Sequence, residues 1–541
     1  MLEKIRNNKK LMIIISILVL VALTGIAALY NYLLHTNFWP DPEAVLWQEN
    51  FFLKDYTGQE IAAPKNISDF IAHMAYYILG FSVRSLRVQF VAEYALEFFF
   101  TAIVCLYSFK SGRIRYYIIP MFLLLATIIN PGSSVYCGFH ETGYHVYPYD
   151  MHPETTIWAT FGLFMLYLYE NFKNTKARKV IMAVIAVMAV IGYKFCDMLF
   201  VIAFTAPIAL YIIIYLWHKD KKIILKAVGV IFAALVLIRL VGFVYSPVGE
   251  LFEKQSLGYG SWNSGNVYGD AGWGDLTTII QNFEVTIIEL MALFNVDMIK
   301  DSMLSLRNVM YLVRIIIIIA MLVIAVKQIV AFIRKKNVEL IDFVMSAGLV
   351  LNILFITCSH YGGMVKCIRY MPVNLFFGTA IICRELYRNS EDKVLRIKLP
   401  DSKKVIAGFC LACVIINMEP AWTRDSYIAP YETQMELVME CIQDNNLGNG
   451  VAAYWVAPAL TSGMQGENIV LAMNLVTIKD EVELANKYDI ELHYIVQNED
   501  NDYYRVTVEN QSFLDNADEV YEVGEFTIYY YNDPLPVKSF D

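Results

Sequence analysis

Charge is scarce in this 541-residue chain: Asp, Glu, Lys and Arg make up 18% of it, while 57% of the residues are hydrophobic. A soluble domain cannot bury that much apolar surface, whereas a lipid bilayer accepts it. The apolar residues gather into runs of about 20, the length of helix that crosses a bilayer. The composition therefore excludes an ordinary soluble protein and predicts an α-helical polytopic membrane protein.

Cysteine is also sparse, and its spacing is not that of a metal site. Cys410 and Cys413 form a C-x-x-C pair inside an apolar run, where packing is the expected role. Cys358 and Cys367 flank a loop between two runs, and both a disulfide and two small apolar side chains fit their positions. The chain also lacks an internal repeat, which disfavours a transporter built from symmetric halves.

About eleven membrane helices are predicted. The apolar runs lie near residues 11–34, 88–109, 116–131, 155–171, 180–194, 198–217, 223–245, 308–326, 339–358, 370–387 and 404–418. The first run is too long for the core of a signal peptide and lacks a small-residue cleavage site, so it is interpreted as a retained helix.

The basic residues predict the orientation. With the N-terminus inside, the short cytoplasmic segments hold 26 of the 43 Lys and Arg residues, the helices hold two, and the longer outer segments hold 15. Positive residues concentrate in cytoplasmic loops of membrane proteins. An odd helix count then places the C-terminus outside.

Residues 419–541 differ in composition from residues 1–418, and the two ranges are predicted as separate domains. The tail has 23 acidic and 5 basic residues. Its mixed periodicity predicts a small α/β domain with a terminal hairpin that turns at Gly524. The predicted topology makes this domain extracytoplasmic. Its acidity argues against binding nucleic acid or an anionic lipid surface.

The first outer segment carries Asp41-Pro-Glu43 just beyond the first helix, followed by an amphipathic stretch at 67–81 that is predicted to lie at the membrane interface. One interpretation is a solvated turn. The other is a carboxylate at the edge of a cavity, where it could accept a proton from a substrate or ligate a cation.

A second outer segment, between the third and fourth runs, contains His140, His145, Asp150 and His152. The i, i+2 spacing of Asp150 and His152 places both side chains on one side of an extended segment. Carboxylate and imidazole together suit Mn²⁺ or another divalent ion. An ordered loop whose histidines bind backbone groups explains the pattern equally well.

A third outer segment enters the tenth helix with Lys366, Arg369 and Tyr370, after a Gly-Gly pair that permits close backbone approach. Its cations could pair with a lipid phosphate, or they could simply extend to the membrane interface. The long outer connection at 246–306 holds a loop rich in Gly and aromatic residues and an amphipathic stretch at 276–294.

Together these features resemble the GT-C superfamily of multi-pass membrane glycosyltransferases, which includes protein O-mannosyltransferases, the aminoarabinose transferase and oligosaccharyltransferases. Asp41-Pro-Glu43 stands where their first-loop acidic motif stands. Asp150-Met-His152 is similar to the second acidic motif of oligosaccharyltransferases. Arg369-Tyr370-Met-Pro372 is similar to the entry into a late helix, and Ala453-Tyr454-Trp455 and Glu525–Tyr531 are similar to bacterial outer domains. The chain lacks the W-W-D acceptor motif of oligosaccharyltransferases.

The resemblance implies a hexosyltransferase of the bacterial plasma membrane, which moves a sugar from a polyprenyl-phosphate donor to a glycan, lipid or protein acceptor. Asp41, with Glu43 in reserve, would be the base, and Lys366, Arg369, Tyr370 and His140 would bind substrate. Asp150 and His152 would hold an optional Mn²⁺ or Mg²⁺. The alternatives are a polysaccharide polymerase or ligase, a lipid or glycan transporter, and a non-catalytic scaffold.

Overall fold

A computed structural model of the chain describes residues 9–34, 83–107, 153–195, 198–219, 274–294, 306–359, 367–391, 431–453, 456–474, 476–477, 489–498 and 512–535, with a few single positions besides. The Cα positions separate into two compact units. The first takes Met1–Leu34, Val91–Phe243 and Ala271–Ser426; the second takes His35–Phe90, Val244–Asp270 and Tyr427–Asp541. The predicted domain boundary at 418/419 falls outside the described residues and stays a prediction.

The first unit is helical. Its helices are α1 (Lys9–Leu34), α2 (Val83–Tyr107, which begins in the second unit), α3 (Pro153–Asn171), α4 (Thr175–Phe195), α5 (Met198–Lys219, with a π-helical stretch at Val201–Thr205), α6 (Leu276–Leu293), α7 (Leu306–Ile333), α8 (Leu340–Cys358) and α9 (Pro372–Glu391), with a 3-10 turn at Cys367–Tyr370 before α9. Eight of these helices match predicted membrane spans. The predicted spans at 116–131 and 404–418 lie outside the described residues, as does that at 223–245 apart from Gly229.

Within the described residues, four helical segments are long and apolar enough to cross a membrane: Met198–Lys219, Leu276–Leu293, Arg314–Ile333 and Leu340–Cys358. An exposed apolar stripe runs along α7 at helical spacing and suits contact with lipid; it consists of Leu312, Ile316, Ile319, Val323, Val326 and Val330. These features are those of a membrane protein.

Helix α8 is the central helix of the described bundle. Two thirds of its span is buried (67%), against 28% for the other three apolar segments. Gly348 brings α8 against the backbone of α5, since a Cβ at this position would lie 2.2 Å from the carbonyl oxygen of Ala203. The absence of a side chain at position 348 therefore sets how closely α5 and α8 approach.

One end of the bundle is joined by charged groups. Arg384 of α9 donates from Nε to Oδ1 of the fully buried Asp342 on α8, at 2.5 Å. Its Nη2 lies 2.5 Å from Glu339 and 3.5 Å from Glu170 at the end of α3. Glu170 in turn accepts a hydrogen bond from the backbone N–H of Ile341, at 3.1 Å. The end of α3, the start of α8 and the second half of α9 therefore meet here.

Two further helices end at the same place. Lys327 near the end of α7 pairs with Glu385 of α9 at 2.7 Å. The His218 ring, at the end of α5, lies 3.1 Å from the carbonyl oxygen of Ile333, the last residue of α7. Helices α3, α5, α7 and α9 thus terminate at one end, where α8 begins, and the predicted map places each of these termini on the cytoplasmic side.

Helices α2 and α9 run in the same direction. The rings of Tyr94 and Phe376 lie 6.1 Å apart, and the thiols of Cys105 and Cys383 meet further along both helices. A parallel pair requires an odd number of crossings between its members. The predicted map, in which both helices run from outside to inside, has that parity.

The C-terminal part of the second unit is an α/β structure. It contains α10 (Tyr431–Asp444), β1 (Asn449–Ala452), α11 (Ala457–Gly463), β2 (Val470–Asn474), β3 (Val476–Thr477), β4 (Leu492–Gln497), α12 (Ser512–Asp515), β5 (Glu519–Val523) and β6 (Phe526–Tyr530). The strand order is β3-β2-β1-β4-β6-β5. Strand β1 pairs in parallel with β2 and β4, and β6 pairs antiparallel with β4 and β5. Gly524, at φ +62°, turns the terminal hairpin as expected from the sequence.

Specific side chains hold this sheet together. Gly450 faces the ring of Tyr494 in the neighbouring strand, and a Cβ at Gly450 would lie 2.2 Å from that ring. Tyr494 is fully buried, and burial raises the pKa of its hydroxyl well above the usual value. Gln497 binds both backbone groups of Val506, at 2.9 and 2.5 Å, and so acts as a substitute for a strand neighbour.

Candidate functional site

The described residues contain only part of the predicted site. The predicted base residues, Asp41 and Glu43, and the predicted cation ligands, Asp150 and His152, lie outside them. Two predicted substrate-binding residues, His140 and Lys366, also lie outside them. Tyr370 is described in full, and Arg369 is described for its backbone. The site is therefore built from the turn that carries Arg369 and Tyr370.

This turn is a 3-10 helix, Cys367–Tyr370, that leads directly into α9. The backbone N–H of Met371 donates to the carbonyl oxygen of Ile368 at 3.0 Å, and the N–H of Asn374 donates to that of Met371 at 2.8 Å. Ile368 and Met371 have no exposed surface, and Tyr370 has 3%. Since Pro372 cannot donate a backbone hydrogen bond, these two bonds are the local ones that close the chain into the helix.

Two buried asparagines connect the turn to the bundle. Asn352 of α8 donates from Nδ2 to the carbonyl oxygen of Tyr370 at 3.2 Å. Asn374 of α9 donates from Nδ2 to Oδ1 of Asn352 at 2.7 Å. Neither asparagine is exposed. The backbone of the turn is thus held by a relay of two side-chain amides.

The contact with Asn352 gives the depth of the turn. Asn352 lies six residues before Cys358, the end of α8. At a rise of 1.5 Å per residue, the turn lies about 9 Å below that end along the helix axis. Irregular backbone at such a depth is found where protein surrounds it or where it lines a water-filled cavity. The segment that carries Arg369 therefore folds back into the bundle.

Helix α6 covers the other side of this region. It contacts both α8 and the 3-10 turn. The N–H of Gly274, just before α6, donates to the carbonyl oxygen of Cys358 at 3.0 Å, and Nδ2 of Asn282 donates to that of Ser359 at 2.6 Å. Asn282 and Ser359 are both buried. Helix α6 is therefore attached to the end of α8 that lies opposite the Arg384 cluster.

Helix α6 buries polar as well as apolar side chains: Asn282, Thr286, Glu289, Leu290 and Leu293. Its exposed side carries both kinds too: Leu276, Ile280, Gln281, Phe283, Glu284 and Ile287. The amphipathic stretch predicted at 276–294 is present as this helix, which turns Asn282, Thr286 and Glu289 toward the bundle. Its length and composition would also permit a membrane crossing.

Two carboxylates on α2 are also buried. Glu93 and Glu97 have no exposed surface, and Thr101 and Cys105 continue the same buried row at intervals of four. Glu93 and Glu97 lie in the middle of α2, because the helix begins at Val83, five residues before the predicted start. A buried carboxylate in the middle of a helix that matches a predicted membrane span is a candidate functional group.

No group of three or more His, Cys, Asp or Glu side chains among the described residues is placed to hold a metal ion. Asp150 and His152 are not among these residues, so their role as cation ligands stays a prediction.

In sequence, the chain matches no family model and no curated protein. In structure, it is similar to two crystal structures of ArnT from Cupriavidus metallidurans, a GT-C aminoarabinose transferase. The structure bound to undecaprenyl phosphate gives a TM-score of 0.55 at 8% identity, and the apo structure gives 0.54 at 9%. Both alignments cover 95% of this chain and 97% of the ArnT chain. The chain has the GT-C fold.

The GT-C fold confirms the resemblance inferred from the sequence, at the level of architecture. At 8–9% identity it assigns no role to individual residues. Sequence analysis missed the asparagines of the GT-C bundle, Asn282, Asn352 and Asn374. The signal for Asn352 was available, since it is a lone amide inside the apolar run at 339–358. Polar side chains within membrane helices are uncommon and usually face the bundle interior.

Proposed function

We propose that this protein is a membrane glycosyltransferase that transfers a sugar from a polyprenyl-phosphate-linked donor to an acceptor hydroxyl. The observation that carries the proposal is the GT-C fold over nearly the full length of both aligned chains. The ArnT structure that this fold matches is bound to undecaprenyl phosphate, the type of carrier that the proposed donor needs.

The proposed reaction needs one base and one group that stabilises the leaving phosphate. The acceptor oxygen attacks the anomeric carbon while the bond from that carbon to the phosphate oxygen breaks. The electron pair of the broken bond stays on the phosphate, and the proton of the acceptor passes to Asp41, or to Glu43 in its place. Inversion at the anomeric carbon follows from this single displacement. A cation on Asp150 and His152 would add positive charge near the phosphate, but the transfer is complete without it.

Arg369, helped by Lys366, is proposed to bind the donor phosphate. A guanidinium binds phosphate oxygens through two parallel hydrogen bonds, and charge that develops in the transition state is best stabilised by groups already held in place. The turn at Cys367–Tyr370 supplies such a rigid support, and α9 begins immediately after it. The positive end of the α9 dipole adds to the attraction for an anion.

The proposed reaction takes place on the outer face of a bacterial plasma membrane, with the C-terminal α/β domain extracytoplasmic and a glycan, lipid or protein as acceptor. Two observations support this orientation. First, the helix ends that the distribution of basic residues assigns to the cytoplasm meet at the Arg384 cluster. Second, the turn with Arg369 lies toward the opposite end of α8. Helix α6 also begins at that opposite end. Its length permits a crossing, but a crossing by α6 would make the number of spans between α2 and α9 even, against their parallel arrangement, so the proposal keeps eleven spans.

The test uses purified protein in nanodiscs with undecaprenyl phosphate and with a set of defined polyprenyl-phosphate sugars. We expect saturable binding of undecaprenyl phosphate and transfer from at least one donor.

Asp41→Asn should lower turnover by about 10²–10⁴-fold, because it removes the proton acceptor and keeps the size of the side chain. Arg369→Lys should lower turnover more than apparent affinity. Lys327→Ala, at the opposite end of the bundle, is the matched control. A protein that neither binds the carrier nor transfers sugar would contradict the proposal.

A transporter of lipid or glycan is the second candidate, and the buried Glu93 and Glu97 favour it, because transport paths use ionisable residues within the membrane. Proteoliposomes separate the two functions. Movement of a fluorescent polyprenyl-phosphate analogue between leaflets, lost in Glu93→Gln but intact in Asp41→Asn, would indicate transport. A polysaccharide polymerase or ligase would also transfer sugar in the nanodisc assay described above. Its activity would not depend on Asp41.

A further inference from the structure

The Asn352–Asn374 relay does not touch the reacting atoms in the mechanism above, yet it holds the backbone of the turn with Arg369 through a buried hydrogen bond to the carbonyl oxygen of Tyr370. We propose that Asn352 and Asn374 are positioning residues, which hold this turn at its depth in the bundle so that Arg369 meets the donor phosphate. The inference rests on the proposed function, and it adds two residues that determine how the phosphate group is held.

The geometry supports a directed relay. Asn374 donates to Asn352 at 2.7 Å, and this bond orients the Asn352 amide so that its Nδ2 faces the carbonyl oxygen of Tyr370. The Asn352 amide lies on α8 and the Asn374 amide on α9, the two helices that flank the turn. Neither amide is exposed. A buried amide pair of this kind fixes one arrangement, because rotating either side chain leaves a buried polar group without its bond.

The position in the turn explains why Arg369 is the residue affected. Tyr370 follows Arg369 directly, so the peptide group held by Asn352 is one residue away from the Arg369 Cα. A displacement of about 1 Å at a substrate-positioning group can lower turnover by about 10²-fold. Loss of the relay should therefore act on the phosphate contact before it acts on the fold.

The test uses four single variants and one double variant in nanodiscs. Asn352→Asp replaces the donor to Tyr370 with an oxygen of the same size. Asn374→Asp removes the bond that orients the Asn352 amide and leaves the Asn352 side chain itself unchanged. Arg369→Ala removes the proposed phosphate ligand. The matched control is Ser346→Ala on the same helix, which removes a buried 2.7 Å bond to Gln328 that has no contact with the turn.

The primary readout is the ³¹P NMR shift of bound undecaprenyl phosphate, which needs no knowledge of the sugar. We expect Asn352→Asp and Asn374→Asp to move the shift in the direction that Arg369→Ala does, while Ser346→Ala leaves it in place. In the transfer assay, Asn352→Asp should lower turnover by about 10²-fold. The double variant Asn352→Asp/Arg369→Ala should stay within about two-fold of Arg369→Ala, since the two residues act on one contact.

The outcomes separate this inference from the proposed function. If Arg369→Ala changes neither shift nor turnover, the phosphate contact itself is wrong, and the positioning role is wrong with it. Suppose instead that Arg369→Ala changes both the ³¹P shift and turnover. If Asn352→Asp then lowers turnover by the same factor in the Arg369→Ala variant as in the wild-type protein, only the positioning role is overturned. If Asn352→Asp does not fold, Asn374→Asp decides, and a wild-type ³¹P shift in that variant overturns the inference.

Discussion

The Arg384 cluster is expected to dominate the stability of one end of the bundle, and Arg384→Leu tests this. The Arg384 side chain is 7% exposed and that of Asp342 is 0% exposed, with contacts between them at 2.5 and 3.4 Å. Removing one partner of a buried ion pair costs about 3–5 kcal/mol, because the remaining charge loses its neutralising group. The contact to Glu339, whose side chain is 47% exposed, adds at most about 1 kcal/mol.

The expected loss corresponds to an increase of about two to four orders of magnitude in the unfolding equilibrium constant. The assay is a denaturant titration of the protein in a fixed lipid–detergent mixture, followed by intrinsic fluorescence. Arg384→Leu/Asp342→Leu should be more stable than Arg384→Leu alone, because the double change also removes the buried negative charge. Binding of undecaprenyl phosphate per folded molecule should be unchanged, since the cluster lies at the end away from the 3-10 turn.

Lys327→Ala is the matched control for this prediction. Lys327 also forms an ion pair across α7 and α9, but its side chain is 65% exposed, so its loss should cost about 0–1 kcal/mol. The reasoning is refuted if Arg384→Leu costs no more than Lys327→Ala, or if the double variant is less stable than Arg384→Leu.

Gly348→Ala should cost about 1–3 kcal/mol in the same titration, because its Cβ would meet the backbone oxygen of Ala203; wild-type stability would show that α5 and α8 can move apart freely. A reporter fused after Asp541 should give an extracytoplasmic signal, and a cytoplasmic signal would reverse the predicted topology. Chelation should lower transfer and Mn²⁺ should restore it if Asp150 and His152 hold a cation; full activity in chelator, with no metal in elemental analysis, would leave these residues without that role.

The candidate site was predictable only in part. The sequence pointed to the segment around Arg369 because a basic pair there precedes an apolar run. It could not show that the segment folds back to the level of Asn352, since this depends on which carbonyl a side chain on another helix reaches. Glu93 and Glu97 were visible as charges in an apolar run, but their central position depended on where α2 begins.

The sequence by itself determined the class of the protein, the approximate positions of most described helices, and the mixture of helix and strand in the tail with its hairpin at Gly524. These properties follow from the length of the apolar runs, the charge of the loops and local periodicity, all of which act between near neighbours in the chain. Tertiary structure alone decided which polar residues meet: Arg384 with Asp342 across 42 positions, Asn282 with Ser359 across 77 and Glu170 with Ile341 across 171. The physical reason is that helices in a bilayer associate through close packing of small residues and through hydrogen bonds between polar side chains. The hydrophobic pattern of a single helix does not show which other helix supplies these contacts.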